Sequence, residues 1–348
     1  MKRPIIISGP CSAETEEQTI VTCKKLAETQ KVDILRAGIW KPRTSPDSFE
    51  GVGELGLIWL KTVKRITGLP IAVEVANTEH VHKALAHEVD YVWIGARTTV
   101  NPFNVKEIAN ALKGTLVKVL IKNPVNPDLS LWIGAVERIA HTRGIDNIWL
   151  VHRGFSACGY SEYRNVPLWH LIFDMKRQFP EIKMICDPSH ICGNRKNLLK
   201  VSQTAADLNY DGLMIESHIC PDAAWSDANQ QITPNELCTL LDSLKWRNKH
   251  NESSIFEYSL SKFRSEIDQV DSDLFELLSR RMKLAEEIGR IKLTCNVSIY
   301  QEQRWKNIVE RIISRAKRLD LSEAFIRTIL DAVHNESINR QNEVMNKI

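Results

Sequence analysis

Eight short apolar runs, each followed by a stretch able to form a helix, constrain the fold of this chain more than any other feature. They are PIIIS (4–8), VDILRAG (32–38), LPIAVEV (69–75), YVWIGA (91–96), LVKVLIK (116–122), NIWLVHRG (147–154), KMICDPSH (183–190) and GLMIES (212–217). Short runs of this kind, rich in Ile and Val, suit strands covered on both faces, as parallel strands are. Eight βα units within about 245 residues match the count and length of an α/β fold closed into a (β/α)8 TIM barrel. An open doubly wound sheet has the same composition. Nucleotide binding would favour it, but no G-x-G-x-x-G follows the first run.

Glycine and proline then divide the chain. All 13 prolines lie at or before Pro234, and of the 15 glycines only Gly289 lies beyond Gly212. Tight-loop punctuation therefore ends where long helices begin. The stretch 246–254 is polar and unpatterned, which predicts a barrel domain over 1–245, a linker over 246–256 and a helical domain over 257–348. From Ser259 apolar residues recur three and four apart without proline for about 35 residues, predicting one helix of roughly 50 Å. The segments 304–319 and 322–342 predict two more helices, with Ser322 as an N-cap. A first helix of that length needs a partner surface. A homodimer through the three-helix domain is therefore expected, with a tetramer left open.

Charge and composition exclude several classes. A formal net charge of +3 is too small to imply a nucleic-acid partner. No window approaches the roughly 20 unbroken apolar residues of a membrane helix. The opening MKRPIIISGP lacks the long apolar stretch and cleavage site of a signal peptide. The eight cysteines (11, 23, 158, 186, 192, 220, 238 and 295) form no Cys-x-x-Cys pair. That fits reduced thiols in the cytoplasm, one of them available as a ligand or nucleophile.

Barrel enzymes place their chemistry at the C-terminal ends of strands. Here those ends carry Cys11, Arg36, Lys41, Glu74, Arg97, Lys122, Arg153, Asp187, His190 and Glu216. Arg36, Lys41, Arg43, Arg97, Lys118, Lys122 and Arg153 are expected at one mouth. Such a cation cluster suits small polyanions, because Arg offers bidentate forks and Lys a point charge. Pairing of some of these cations with Glu74, Asp187 or surface carboxylates is the competing account. Cys11, His190, Glu216 and Asp227 offer a thiolate, an imidazole and two carboxylates, a donor set for Mn, Fe, Co or Zn rather than Mg or Ca. Taken singly, a buried cysteine is usually a small hydrophobe and a histidine a hydrogen-bonder, and His218 and Cys220 stand nearby as rival donors.

GPCSAE (9–14), RAGIWKPRTSPDSFEGVGE (36–54), IGAR (94–97), CDPSH with GNR (186–195), IES (215–217) and WSDANQ (225–230) together resemble the 3-deoxy-D-arabino-heptulosonate 7-phosphate (DAHP) synthases. The likeness is to the short-barrel subgroup close to the 3-deoxy-octulosonate 8-phosphate synthases. It implies that Cys11, His190, Glu216 and Asp227 hold one divalent metal ion. It implies phosphoenolpyruvate contacts from Arg36, Lys41, Arg97, Lys122 and Arg153, with Lys41 as the proton donor. Arg43 and Thr44 would meet the phosphate of erythrose 4-phosphate. The octulosonate enzymes typically carry an Asn-Arg-Ser-Ser stretch where KPRT stands here. Thr98 and Thr99 depart from the family's usual Asn-x-Gln after IGAR.

LSKFRSEIDQVDSDLFELLSRRMKLAEEIGRIK (260–292), with ESINRQ (336–341), resembles the all-helical chorismate mutases over residues 257–345. The resemblance assigns Arg264, Arg281, Lys292, Arg304, Ser337 and Gln341 to a chorismate pocket that needs no cofactor. Arg264 would come from the other protomer, and Lys292 and Gln341 would be the catalytic groups. Gln301 stands where that family often has Asp, and Trp305 where a glutamate normally takes the substrate hydroxyl. The two resemblances together imply a bifunctional enzyme of aromatic amino acid biosynthesis, the second activity turning chorismate into prephenate. The alternatives are a single-activity synthase whose helices only regulate and dimerise, and an octulosonate 8-phosphate synthase. GPCSAE begins at position 9, so no sensor domain is expected ahead of the barrel, and feedback is expected through prephenate bound by the helical domain.

Overall fold

Side-chain alternation along the apolar runs decides the architecture. The computed structural model describes residues 3–42, 47, 49–156, 161–247 and 254–346, the side chains of 254–256 excepted. The runs form β1 (Ile5–Gly9), β2 (Ile34–Ala37), β3 (Ile71–Val75), β4 (Tyr91–Ile94), β5 (Lys118–Lys122), β6 (Ile148–His152), β7 (Lys183–Cys186) and β8 (Gly212–Glu216). All pair in parallel in chain order, and β8 closes onto β1 with Ile5 opposite Gly212 and Gly9 opposite Glu216. The closed barrel holds, and the open sheet does not. Helices α1 (Glu16–Glu28), α2 (Glu54–Thr67), α3 (Thr78–Ala86), α4 (Ala96–Thr99), α5 (Pro102–Ala111), α6 (Leu129–Arg143), α7 (Trp169–Gln178), α8 (Pro188–Cys192), α9 (Leu198–Asp207) and α10 (Pro234–Ser243) fill the connections.

Successive strand residues point to opposite faces. Ile6, Leu35, Val73, Val119, Leu150 and Leu213 belong to the main core shared with the helices. Ile7, Ile34, Ala72, Trp93, Leu120, Val151, Ile185 and Met214 fill the barrel interior. Two residues further along the same inward register stand Arg36, Glu74, Lys122, Arg153, Asp187 and Glu216. Apolar plug and charged mouth are thus one period-two pattern.

Lys118 corrects the expected cation cluster. It shares the inward register of Lys122 but lies about 13 Å lower along the strand. Its ammonium sits 5.8 Å from the Tyr91 ring centroid and 5.4 Å from that of Trp149. Alternation gives the face of a residue and not its level.

The chain divides into two units, Met1–Lys249 and His250–Ile348. The second holds α11 (Ser254–Thr294), α12 (Glu302–Arg318) and α13 (Glu323–Met345). The 41 residues of α11 run about 60 Å, longer than expected because the helix already begins at Ser254. Ser322 caps α13 as expected, accepting from the Phe325 N–H at 3.3 Å. A Cβ on Gly289 would lie 3.1 Å from Gln341 Cα. Glycine lets α11 and α13 approach there despite a helix-propensity cost of about 1 kcal/mol. The buried core is small, Ala316, Ile326 and Leu330 backed by partly buried neighbours. On α11 the apolar Phe263, Ile267, Val270, Leu274, Leu284, Ile288 and Ile291 remain 48–64% exposed. No described helix is long and apolar enough to cross a membrane.

Candidate active sites

Cys11 follows β1 in a pinned loop. Its N–H donates to Gln231 Oε1 at 2.8 Å, and its carbonyl accepts from the Gly38 N–H at 3.1 Å. The buried Cys11 Sγ and one carboxylate oxygen each from Glu216, at the end of β8, and Asp227, in the following loop, lie within 4.8 Å of one another. His190, the fourth expected donor, stands beside this cluster and not inside it. Asp187, the N-cap of α8, holds its Nδ1 at 2.8 Å, and its Nε2 faces Glu216 Oε1 at 3.8 Å. Burial, and next the Glu216 carboxylate, pushes the Cys11 thiol up to about 12, against the pull of Lys41. Lys41 Nζ lies 2.7 Å from the sulfur.

This donor set fits a divalent cation. A thiol and two carboxylates crowd together in a buried site, and a bound cation would displace the thiol's proton to solvent. A histidine whose one ring nitrogen is held by a carboxylate presents the other to a metal. His218 and Cys220 fall away as rivals. His218 Nδ1 accepts from the Cys220 N–H at 2.9 Å and its Nε2 lies 3.4 Å from Glu14, bracing the loop.

Arg36, Lys41, Lys122 and Arg153 of the expected cations stand near the Cys11–Glu216–Asp187 side chains, and some are also paired. Arg36 donates from one terminal nitrogen to Glu216 Oε1 at 2.7 Å and from the other to the Cys11 carbonyl at 3.2 Å. Its buried Nε has no hydrogen-bond partner. Lys122 donates to Asp187 Oδ2 at 2.9 Å. Both cations lie against Trp93, at 4.7 and 5.8 Å from its ring centroid, and the indole N–H donates to Glu74 at 3.0 Å. Burial alone would raise Glu216 and Asp187. His190, with Arg36 for the first and Lys122 for the second, instead holds them below the usual carboxylate range.

Arg153 donates to Asn165 Oδ1 at 2.7 Å. Burial lowers it to about 10, Asp187 opposing and Arg164 and Arg97 adding to the fall. Arg97 itself, on α4, is exposed. Arg43 and Thr44 lie outside the described residues. Thr99, one of the departures after IGAR, donates to the Lys122 carbonyl at 2.9 Å and so ties α4 to the end of β5.

Two side chains of this site escaped the sequence reading. Arg164 donates to Asp227 Oδ1 and to Gln230 Oε1, each at 3.0 Å. Gln230 in turn donates to Glu216 Oε2 at 2.7 Å. Gln230 was visible as the last residue of WSDANQ. Arg164 stands in the irregular loop before α7, where no strand register marks it.

In the helical unit Arg281 donates to the Ser337 hydroxyl and, at 3.3 Å, to the Val333 carbonyl. Gln341 Nε2 donates to the Ser337 carbonyl at 3.1 Å, while its buried Oε1 has no partner. Lys292 donates to the Ile299 carbonyl, and burial lowers its pKa, as it does that of Arg281. Arg281 and Arg304 both line a cavity of about 350 Å³. Arg264 does not join them within one chain, because 17 residues of α11 separate it from Arg281 by about 25 Å.

Residues 2–252 match the DAHP synthetase I family over most of the chain's length. The chain belongs to the DAHP synthetase I family. Residues 263–342 match chorismate mutase type II. This member of the DAHP synthetase I family therefore carries a second enzyme domain, and both domain families serve aromatic biosynthesis. The chain is 30% identical over 227 residues to a phospho-2-dehydro-3-deoxyheptonate aldolase of Thermotoga maritima, covering 65% of this chain and 64% of that protein. It thus spans a little under two thirds of that relative's length. It is 29% identical over 273 residues to a 2-dehydro-3-deoxyphosphooctonate aldolase of Wolinella succinogenes, covering 69% of this chain and 97% of that protein. The crystal structure of the Thermotoga maritima phospho-2-dehydro-3-deoxyheptonate aldolase superposes with a TM-score of 0.62 at 28% identity, over 68% of this chain and 67% of that one.

Proposed function

We propose that the chain carries two activities: condensation of phosphoenolpyruvate with erythrose 4-phosphate in the barrel, and conversion of chorismate to prephenate in the helical unit. Both belong to aromatic amino acid biosynthesis in the cytoplasm. The observation that carries the first is a buried Arg36 with an unpartnered Nε beside the Cys11–Glu216–Asp227 cluster. An anion contact and a metal donor set there share one carboxylate. Arg36, Lys41, Lys122 and Arg153, with Arg97, bind the phosphate and carboxylate of phosphoenolpyruvate. Arg43 and Thr44 take the phosphate of erythrose 4-phosphate. Cys11, His190, Glu216 and Asp227 hold one Mn, Fe, Co or Zn ion, which when bound supplies a Lewis acid toward the aldehyde.

The side chains hold both substrates in line and stabilise charge as it develops. C3 of the enol phosphate bonds to the aldehyde carbon, and Lys41 Nζ gives its proton to the aldehyde oxygen. Water adds at C2, and the bond from C2 to the phosphate oxygen breaks to release inorganic phosphate.

In the helical unit the cations clamp the two carboxylates of chorismate in the diaxial conformer, Arg264 coming from a second copy of the chain. Ser337 orients Arg281. Lys292 and Gln341 stabilise charge on the breaking ether oxygen. The exposed apolar row on α11 supports the homodimer that this requires.

The test is an assay of the full chain on erythrose 4-phosphate and on arabinose 5-phosphate, each with and without chelator, alongside chorismate consumption. Erythrose 4-phosphate is expected to be used, in a chelator-sensitive way. The octulosonate aldolases among the relatives favour the rival, and product from arabinose 5-phosphate alone would install it. Failure to consume chorismate would reduce the helices to a dimerising or regulatory module.

A further inference from the structure

Behind the cysteine–carboxylate cluster runs a chain of hydrogen bonds that engages one chosen oxygen of each carboxylate. Arg164 Nη1 donates to Asp227 Oδ1 and to Gln230 Oε1, each at 3.0 Å. Gln230 Nε2 donates to Glu216 Oε2 at 2.7 Å. The opposite oxygens face the other donors. Asp227 Oδ2 stands 3.4 Å from the Cys11 sulfur, and Glu216 Oε1, to which Arg36 donates, stands 3.8 Å from His190 Nε2. Gln230 is buried, with 1% of its surface exposed, and its amide has one workable orientation. Turned over, it would set its oxygen against a carboxylate and its NH2 against a guanidinium.

The local backbone suits this relay. Asp227 has φ 47°, in the left-handed region that Asp enters more readily than most residues. It opens the 3-10 turn Ala228–Gln230, in which side chains three apart stand one above the other. Asp227 and Gln230 can therefore share one guanidinium. Arg164 reaches them past Gly193, the C-cap of α8, where a Cβ would lie 2.5 Å from the arginine's own Cβ. Asn165, the next residue, donates to the His190 carbonyl at 2.6 Å. Two adjacent residues thus hold the segments that carry His190 and Asp227. Burial alone would raise the Asp227 carboxyl; Arg164, more than any other neighbour, holds it below its ordinary value.

We propose that Arg164 and Gln230 are positioning residues: they occupy one oxygen of each carboxylate, so that Glu216 and Asp227 meet the cation through one oxygen apiece. The inference rests on the metal reading of this site and adds which residues set its donors. A carboxylate released from such a partner turns freely and must be ordered again when the ion binds, which weakens binding.

The test is a titration of the metal-free full chain with cobalt(II) alone, followed by the charge-transfer absorption that a thiolate gains on binding cobalt. Gln230→Leu and Arg164→Ala are each expected to raise the Kd for cobalt about 10–100-fold. The band at saturation is expected to survive in both, because Cys11 is untouched. The double variant is expected to lose less than the product of the single losses, since one relay is broken twice. Arg164 is half exposed, so its variant carries the test even where Gln230→Leu fails to fold. Unchanged cobalt affinity in Arg164→Ala, or single losses that multiply, overturns the inference. So does an Arg164→Ala chain that needs more phosphoenolpyruvate yet binds cobalt as before, which would make Arg164 a substrate contact. If the unchanged chain gains no thiolate band, the metal reading falls and this inference with it. A band in every protein with unaltered affinity in the variants removes the relay alone.

Discussion

Cys11 rests as a neutral thiol in its site: burial and two carboxylates oppose the thiolate, against the pull of Lys41 and Arg36. Replacing it removes the one soft donor. Cys11→Ala is expected to cut condensation by about 100-fold or more, with chorismate consumption unchanged, and a chelator is expected to do the same to the unmodified chain. Full condensation activity in either case would end the metal reading. His152 gives a separate handle on stability. It faces away from the mouth into an aromatic nest, its Nδ1 2.8 Å from the Tyr210 hydroxyl, and burial lowers its pKa to about 3. The unfolded imidazole titrates near 6.5. Between those values the unfolded chain binds a proton that the folded chain does not. This residue's contribution is therefore complete above about pH 6.5 and is lost as pH falls toward 3, by up to about 1.4 kcal/mol per pH unit. Scanning calorimetry of His152→Phe is expected to show a flatter fall of the barrel's melting temperature between pH 6.5 and 4. An unchanged slope would place the titration elsewhere.

At the scale of elements, α11 and α13 meet where Gly289 faces Gln341 so closely that a Cβ would lie 3.1 Å from the Gln341 Cα. Gly289→Leu is expected to destabilise the helical unit by about 1–3 kcal/mol through overpacking. By displacing Gln341 it should also lower chorismate consumption while condensation persists. An unaltered helical melting transition would show that the helices part freely there. The same scale shows what was legible in advance. Glycine and proline punctuation with Ile- and Val-rich runs marked all eight strands, and three-and-four spacing marked α11 and the Ser322 cap. The strand ends also put Arg36, Lys122, Asp187 and Glu216 at one mouth. Period two did not tell Lys118 from Lys122, because level along a strand is set by pairing register, and sequence periodicity carries no register. Residue types named the expected metal donors but not their separations, so the claim of Asp187 on His190 Nδ1 came only with the short turn of α8. Arg164 lies in irregular backbone, where no period exists to read.

At the scale of the whole molecule, two ligand sites on one chain need not communicate. We expect that they do, with prephenate held by Arg281, Lys292 and Arg264 slowing the condensation in the barrel. Thermodynamic linkage makes this a sharper statement than inhibition alone. If prephenate weakens the binding of a barrel ligand by some factor, that ligand must weaken prephenate binding by the same factor, commonly about 5–150-fold in coupled systems. The decisive measurement pairs two titrations of the full chain: phosphoenolpyruvate affinity with and without prephenate, and prephenate affinity with and without phosphoenolpyruvate. Weakening by the same factor in both titrations, absent in Arg281→Ala and in a chain ending near Trp246, is the expected result. Competition at the barrel itself would mimic the first titration, but it would survive both Arg281→Ala and removal of the helices. Inhibition that persists in either of those proteins, or affinities that ignore each other in the full chain, would reduce the two units to enzymes that share only a polypeptide.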